Sequence, residues 1–444
     1  MTTKGLSSTL KQKLIQHVLE QKLKRLDRSA ITALKPLKSE HVIPDKFCRF
    51  DQLAGYQQVR LLARGAAQFG VSSPFFRVHQ GVAGATTRID GRECINYASY
   101  NYLGLSGHPL VNQAAKEAVD RYGTSVSASR PVAGERPIHR ELEKALADTY
   151  GVDDAVVFVS GHATNVSTIG HLFGPKDLIL HDELIHNSSL VGAQLSGAKR
   201  LPFAHNNIDE LEQCLSQSRH QFERVLIVVE GLYSMDGDTP DLPRIVALKQ
   251  RYKTFLMVDE AHSYGVMGPT GQGVREHFGL EGAAVDIWMG TLSKTLAGCG
   301  GYIAGESALV EHLKFLAPGF LYSVGIPAQV AAPSLAALTL LKQEPERVER
   351  LRQRSCYFLK RARALGFDTG DCCGLAIIPI ITGSSLKAAQ ASEALFKQDI
   401  NVQPILYPAV PEKAARLRFF LSCDHTEQQI DLSLDALKQF WDSL

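Results

Sequence analysis

The stretch from Asp154 to about Gly305 alternates short, apolar, β-rich runs with helix-like segments. Ala155–Val159, Leu178–Leu180, Arg200–Phe203, Val225–Val229, Thr254–Val258 and Ile287–Gly290 are the runs, and Gly300–Gly305 reads as one more strand. Strands with no polar face must be covered on both sides, and helical crossovers make their neighbours parallel. The expected fold is therefore α/β, a mostly parallel sheet between helical layers. Polar residues at the carboxyl ends of such strands are where a ligand collects.

The flanks read differently. Leu10, Leu14 and Val18 recur at four-residue steps, with Ile15, Leu19, Leu23 and Leu26 beside them, so a basic amphipathic helix is expected over Ser8 to Arg28. It packs on the body or a partner copy, or it docks an acidic carrier or an anionic membrane. Asp90-Gly91 marks the turn of a hairpin over Thr86–Arg92. Pro327 to Leu365 is strongly helical, and strands are expected near Leu375–Ile381, Val402–Leu406 and Leu417–Leu421, with a last helix from Thr426 to Trp441. The chain divides into residues 1–45 (N-terminal helix and linker), 46–100 (a lead-in segment), 101–330 (a large domain) and 331–444 (a helical connection and a small C-terminal α+β domain).

Composition excludes several classes. The net charge of +2 over 444 residues leaves no overall nucleic-acid footprint. No apolar run approaches the roughly 20 residues of a membrane span, and no signal-peptide pattern opens the chain. The eight cysteines contain no C-x-x-C pair, which argues against a zinc site and for reduced thiols in a cytoplasmic protein.

The polar residues fall where the fold predicts. Ser160-Gly161-His162 follows a strand and opens a helix, so the N–H groups of Gly161 and His162 suit a phosphate. His186 follows another strand, as a ring-stacking imidazole or simply a helix cap. Tyr233–Asp238, with Ser234, ends a third. Asp259 ends the strand Thr254–Val258, where a buried carboxylate needs a cationic partner; His262 lies three residues on. Lys294 stands between Thr291, Ser293 and Thr295, near Trp288, Met289 and Leu292, a setting in which a lysine pKa falls. An amine for a Schiff base, an acid for a pyridine nitrogen and hydroxyls for a phosphate are the set that pyridoxal phosphate (PLP) requires.

Asn101-Tyr102-Leu103-Gly104, Ser129-Arg130, Ser160–Asn165, Tyr233–Asp238, Val258–Val266, Gly271-Gln272-Gly273 and Gly290–Thr295 occur in that order. In this the chain resembles the α-oxoamine synthases, PLP enzymes of fold type I, over roughly residues 75–440. The resemblance implies a large domain on a mostly parallel seven-stranded sheet and a smaller α+β C-terminal domain. It implies decarboxylative condensation of a small amino acid (glycine, alanine or serine) with an acyl-CoA or acyl-carrier-protein thioester. By the same resemblance Lys294 holds PLP, Asp259 pairs with its ring nitrogen and His186 stacks on the ring. His262 and Ser234 line the cofactor, and Gly161, His162, Thr291 and Ser293 seat it. Ser323 reaches the phosphate of a second subunit in an isologous homodimer. Arg418 takes the substrate carboxylate, and Asn101 lies near the substrate. Gly123–Ala128 holds fewer glycines than relatives often have, which leaves the acyl substrate open. Two other readings stay open: another fold type I enzyme such as an aminotransferase or aldolase, or a non-catalytic subunit, although such subunits commonly lose the lysine.

Overall fold

Val225, Ile227 and Val229 point into one apolar core, while Leu226 and Val228 point into another. Successive residues of a strand face opposite ways, so this one strand is covered on both sides. The computed structural model describes residues 43–60 and 73–443. In that range β1 (Thr86–Ile89), β2 (Arg92–Asn96), β3 (Asp154–Phe158), β4 (Leu178–Asp182), β5 (Lys199–Phe203), β6 (Val225–Glu230), β7 (Phe255–Asp259), β8 (Ile287–Thr291) and β9 (Gly301–Gly305) appear in chain order. The seven strands from β3 onward form one sheet, ordered β3-β9-β8-β7-β6-β4-β5. Within it β9 runs antiparallel to both β3 and β8, and the other pairs are parallel. The expected α/β class and mostly parallel seven-stranded sheet are what the chain forms.

The strand boundaries shift by one or two residues from expectation. Val159 lies beyond β3, and β7 runs on to include Asp259. The hairpin turns at Asp90 and Gly91, both with positive φ (51° and 76°), the backbone that a two-residue turn between twisted strands demands.

The carboxyl-terminal region adds β10 (Ile377–Ile381), β11 (Ile400–Asn401), β12 (Gln403–Ile405) and β13 (Arg416–Phe420). A small antiparallel sheet is ordered β10-β13-β12, and β11 pairs in parallel with β2. The long helical stretch after Pro327 is two helices, Ala328–Gln343 and Glu346–Ala364. Pro345 separates them, because its ring leaves no N–H to continue the first. The last helix starts with a capping box at Thr426 and Gln429.

Residues 43–60 form a unit of their own, with 3-10 turns at Asp45–Cys48 and Phe50–Gln52 and helical residues 54–60. The amphipathic helix expected over Ser8–Arg28 lies outside the described residues. Among the described residues, no helix is long and apolar enough to cross a membrane.

Candidate active site

Most of the candidate side chains sit where a strand of the large sheet stops; Arg418 is an exception. β3 leads to Ser160, whose hydroxyl accepts from the Ala163 N–H and caps the helix Gly161–Leu172. The N–H groups of Gly161 and His162 belong to the first turn and have no intrahelical acceptor. At Gly161 a Cβ would lie 3.0 Å from Thr291 Oγ1, so glycine lets the helix start press on the end of β8. β4 leads to His186, which caps the helix Asn187–Ser196, its Nδ1 2.6 Å from Ser188 Oγ. His186 thus caps its helix and also lines the cavity.

β6 ends in Glu230 and β7 in Asp259, paired in register. Asp259 Oδ2 accepts from Asn165 Nδ2 at 2.9 Å, and Oδ1 accepts from the Ala261 N–H at 2.9 Å. Glu230 is buried with its Oε1 unpartnered. Burial, reinforced by the charge of Asp259, pushes its carboxyl up to about 8, against the pull of the Ser234 and His186 N–H groups.

β8 delivers Thr291, Ser293 and Lys294. The Thr291 hydroxyl donates to Gly300 O at 2.9 Å, and the Ser293 N–H donates to Thr291 Oγ1 at 3.2 Å. Lys294 Nζ lies 5.3 Å from the Tyr100 ring centroid. Burial lowers the Lys294 pKa to about 8, although Asp259 and Glu230 pull it upward. The lysine is only half-buried by exposed area because it faces the open cavity, so water there relieves part of that depression. His262 is held 2.7 Å from the Tyr102 hydroxyl through its Nδ1. Burial, with Lys294 and Arg418 nearby, drives its pKa well below the usual histidine range, so the imidazole is neutral.

Arg418 comes from β13 of the smaller sheet. Its Nη1 donates to Ser234 O at 2.9 Å, its guanidinium carbon sits 4.6 Å from the Phe420 ring centroid, and its Nε is buried without a partner. These groups surround a cavity of about 350 Å³, walled by His162, His186, Ser234, Asp259, Lys294 and Arg418 among others. Among the described residues, three buried polar atoms around it lack partners: Glu230 Oε1, Asn165 Oδ1 and Arg418 Nε. Buried polar groups are normally paired, so these, beside an acid, an amine and two hydroxyls, fit a bound group with complementary atoms. PLP has them.

Ten of the twelve residues singled out in the sequence wall this cavity. Asn101 does not: its Nδ2 donates to Ser106 O and its Oδ1 accepts from the Ser106 N–H, so the amide braces its own loop. The neighbouring Tyr100 faces the cavity instead. Ser323 also lies away from the pocket of its own chain. Sequence reading missed Tyr100, Asn165, Ser188 and Glu230. Asn165 carried a signal, since it stands one helical turn after Gly161 and so lies on the same face.

A family profile for aminotransferase class I and II matches residues 92–437. An 8-amino-7-oxononanoate synthase from Fervidobacterium nodosum is 41% identical over 367 residues, 82% of this chain and 92% of its own. One from Symbiobacterium thermophilum is 42% identical over 348 residues, 78% of this chain and 88% of its own. A variant serine palmitoyltransferase from S. paucimobilis, solved with PLP and myriocin, superimposes with a TM-score of 0.85 at 30% identity, covering 88% of this chain and 99% of the other. The chain therefore belongs to the α-oxoamine synthases, PLP-dependent members of the class I and II aminotransferase family that condense an amino acid with an acyl thioester and release CO₂.

Proposed function

We propose that the amino acid is glycine, alanine or serine and that the acyl group arrives on coenzyme A or an acyl carrier protein. The observation that carries this reading is the meeting of Arg418, from the small sheet, with Lys294 and Asp259, from the large one, in a single cavity. Bound there, PLP supplies an electron sink for the carbon that loses first a proton and later CO₂. Lys294 would hold the cofactor, and Asp259 would keep a proton on its ring nitrogen through charge pairing. When not joined to the cofactor, Lys294 Nζ would be an amine poised near neutrality, suited to take the α-proton and return it. Arg418 directs its unpartnered Nε and planar fork at the substrate carboxylate. His186 would lie against the cofactor ring, and neutral His262 would offer its Nε2 without adding charge. The N–H groups of Gly161 and His162, with the Thr291 and Ser293 hydroxyls, seat the phosphate.

We further infer a homodimer in the cytoplasm. Tyr322 and Val324, the neighbours of Ser323 in the chain, are 87% and 51% exposed, apolar side chains that a second copy would cover while receiving Ser323 at its phosphate. All eight cysteines are free, as a reducing compartment keeps them.

The test is turnover of each amino acid with a panel of acyl-CoA and acyl-carrier thioesters, with CO₂ and free thiol measured together. Equal release of both supports the reading; amine transfer or aldol cleavage without CO₂ would favour the other fold type I reactions. Arg418→Ala should raise the amino-acid KM at least about tenfold while sparing the thioester KM, the loss of a charge-assisted hydrogen bond. An unchanged amino-acid KM removes Arg418 from the substrate site.

A further inference from the structure

Behind the cavity a single imidazole joins two of its walls. His205 follows β5, with Nδ1 2.9 Å from Asp182 Oδ1 and Nε2 2.8 Å from Asp238 Oδ2. Both carboxylates are buried. A carboxylate oxygen can only accept, so each ring nitrogen must donate, and a histidine that donates from both is an imidazolium. Burial alone would lower its pKa, but the two acids overcome this and raise it to about 10. The edge of Tyr233 packs on the ring, with centroids 4.5 Å apart, and Glu183 Oε1 accepts the His205 backbone N–H.

What the imidazolium connects matters more than its charge. Asp182 is the last residue of β4, and four residues later comes His186. Asp182 also accepts from the Leu184 and Asn206 N–H groups, both at 2.8 Å, which ties that passage to the end of β5. Asp238 closes the Tyr233–Asp238 loop: its carbonyl accepts the Tyr233 N–H at 2.9 Å, and its carboxylate also takes Asn206 Nδ2 at 2.7 Å. That loop supplies the carbonyls of Ser234 and Met235, which hold Arg418 and Arg416. One wall therefore carries the residue assigned to the cofactor ring, and the other buttresses the residue assigned to the substrate carboxylate.

We propose that His205 is a positioning residue for this reaction, a charged staple that fixes the His186 passage against the loop bracing Arg418. The proposal rests on the roles assigned above to those two residues. His205→Gln leaves a donor for only one carboxylate and turns an oxygen toward the other. Adding Asp238→Asn converts that repulsion into an amide–carbonyl hydrogen bond and restores the bridge without charge.

In the apoenzyme, ¹⁵N spectra should show both His205 nitrogens protonated up to pH 9. In the folded holoenzyme, His205→Gln should weaken amino-acid affinity, read by spectral titration, by about tenfold with the thioester KM unchanged, the cost of about one charged hydrogen bond. The double variant should recover most of that loss, which a role in stability alone would not produce. Asp238→Ala by itself, which removes the acceptor of both His205 Nε2 and Asn206 Nδ2, should show at least the same weakening, and it stands in if His205→Gln does not fold. A neutral ring at pH 7, or affinities within twofold of the parent in folded variants, would overturn the staple. If Arg418→Ala itself leaves amino-acid affinity unchanged, the site reading fails; a large effect there with none from His205→Gln sinks the staple alone.

Discussion

The carboxyl ends of β6 and β7 set Glu230 and Asp259 side by side in the same register, yet their surroundings differ sharply. Asp259 receives an amide from Asn165 and a backbone N–H from Ala261, donors that stabilise a charged carboxylate. Glu230 is buried beside that charge with one oxygen unpartnered, and it keeps its proton to about pH 8. Burial first, and then the neighbouring charge of Asp259, disfavour an ionised Glu230. In the function proposed above, it is Asp259 that would face the ring nitrogen of PLP.

If that division is correct, neutralising Asp259 has the largest effect. Asp259→Asn should lower kcat by at least about 100-fold and weaken PLP retention, the scale seen when one preorganised electrostatic partner is removed. The check is steady-state turnover at saturating PLP, together with cofactor content after dialysis. Activity within tenfold of the parent would mean that the neighbouring glutamate can take over, and the contrast between the two acids would lose its meaning. A smaller effect tests the donor instead of the acid. Asn165→Ala removes one hydrogen bond to a charged oxygen, worth about 1.5–3 kcal/mol, so kcat should fall roughly 10- to 100-fold. No change would show that the Ala261 N–H alone holds the carboxylate.

These two acids also mark what could be read without coordinates. Asp259 was legible because it ends an unbroken apolar run and is followed three residues later by His262. Glu230 ends an equally apolar run, but it opens a glycine-bearing loop that looks like an ordinary turn, and one chain read linearly cannot show that two strand ends are neighbours. The sheet was legible throughout, since buried parallel strands are continuous apolar runs whose signal is local. Asn165 and His205 act through partners 94 and 23 residues away, and such contacts leave no periodic trace. Asn101 marks another limit: its motif suggests a place near the substrate, and what the structure adds is that its amide satisfies the backbone of Ser106.

The finest test compares the acids through stability. An ordinary glutamate has a pKa near 4.5, and Glu230 in the folded chain has one of about 8. Between those values the folded apoenzyme keeps a proton that the unfolded chain has released. The unfolded state then binds fewer protons, so the contribution of Glu230 to stability falls as pH rises from 4.5 to 8 and is constant above. Glu230→Gln removes the titration and keeps the shape. Its Tm relative to the parent apoenzyme should therefore climb across that interval, exceeding the parent by about 2 °C or more at pH 8 and by least at the acid end. Differential scanning calorimetry at pH 5, 6.5, 8 and 9 reads the curve directly. A Tm difference that is flat with pH would mean Glu230 ionises normally, so that both strand ends carry charge and Asn165 selects neither.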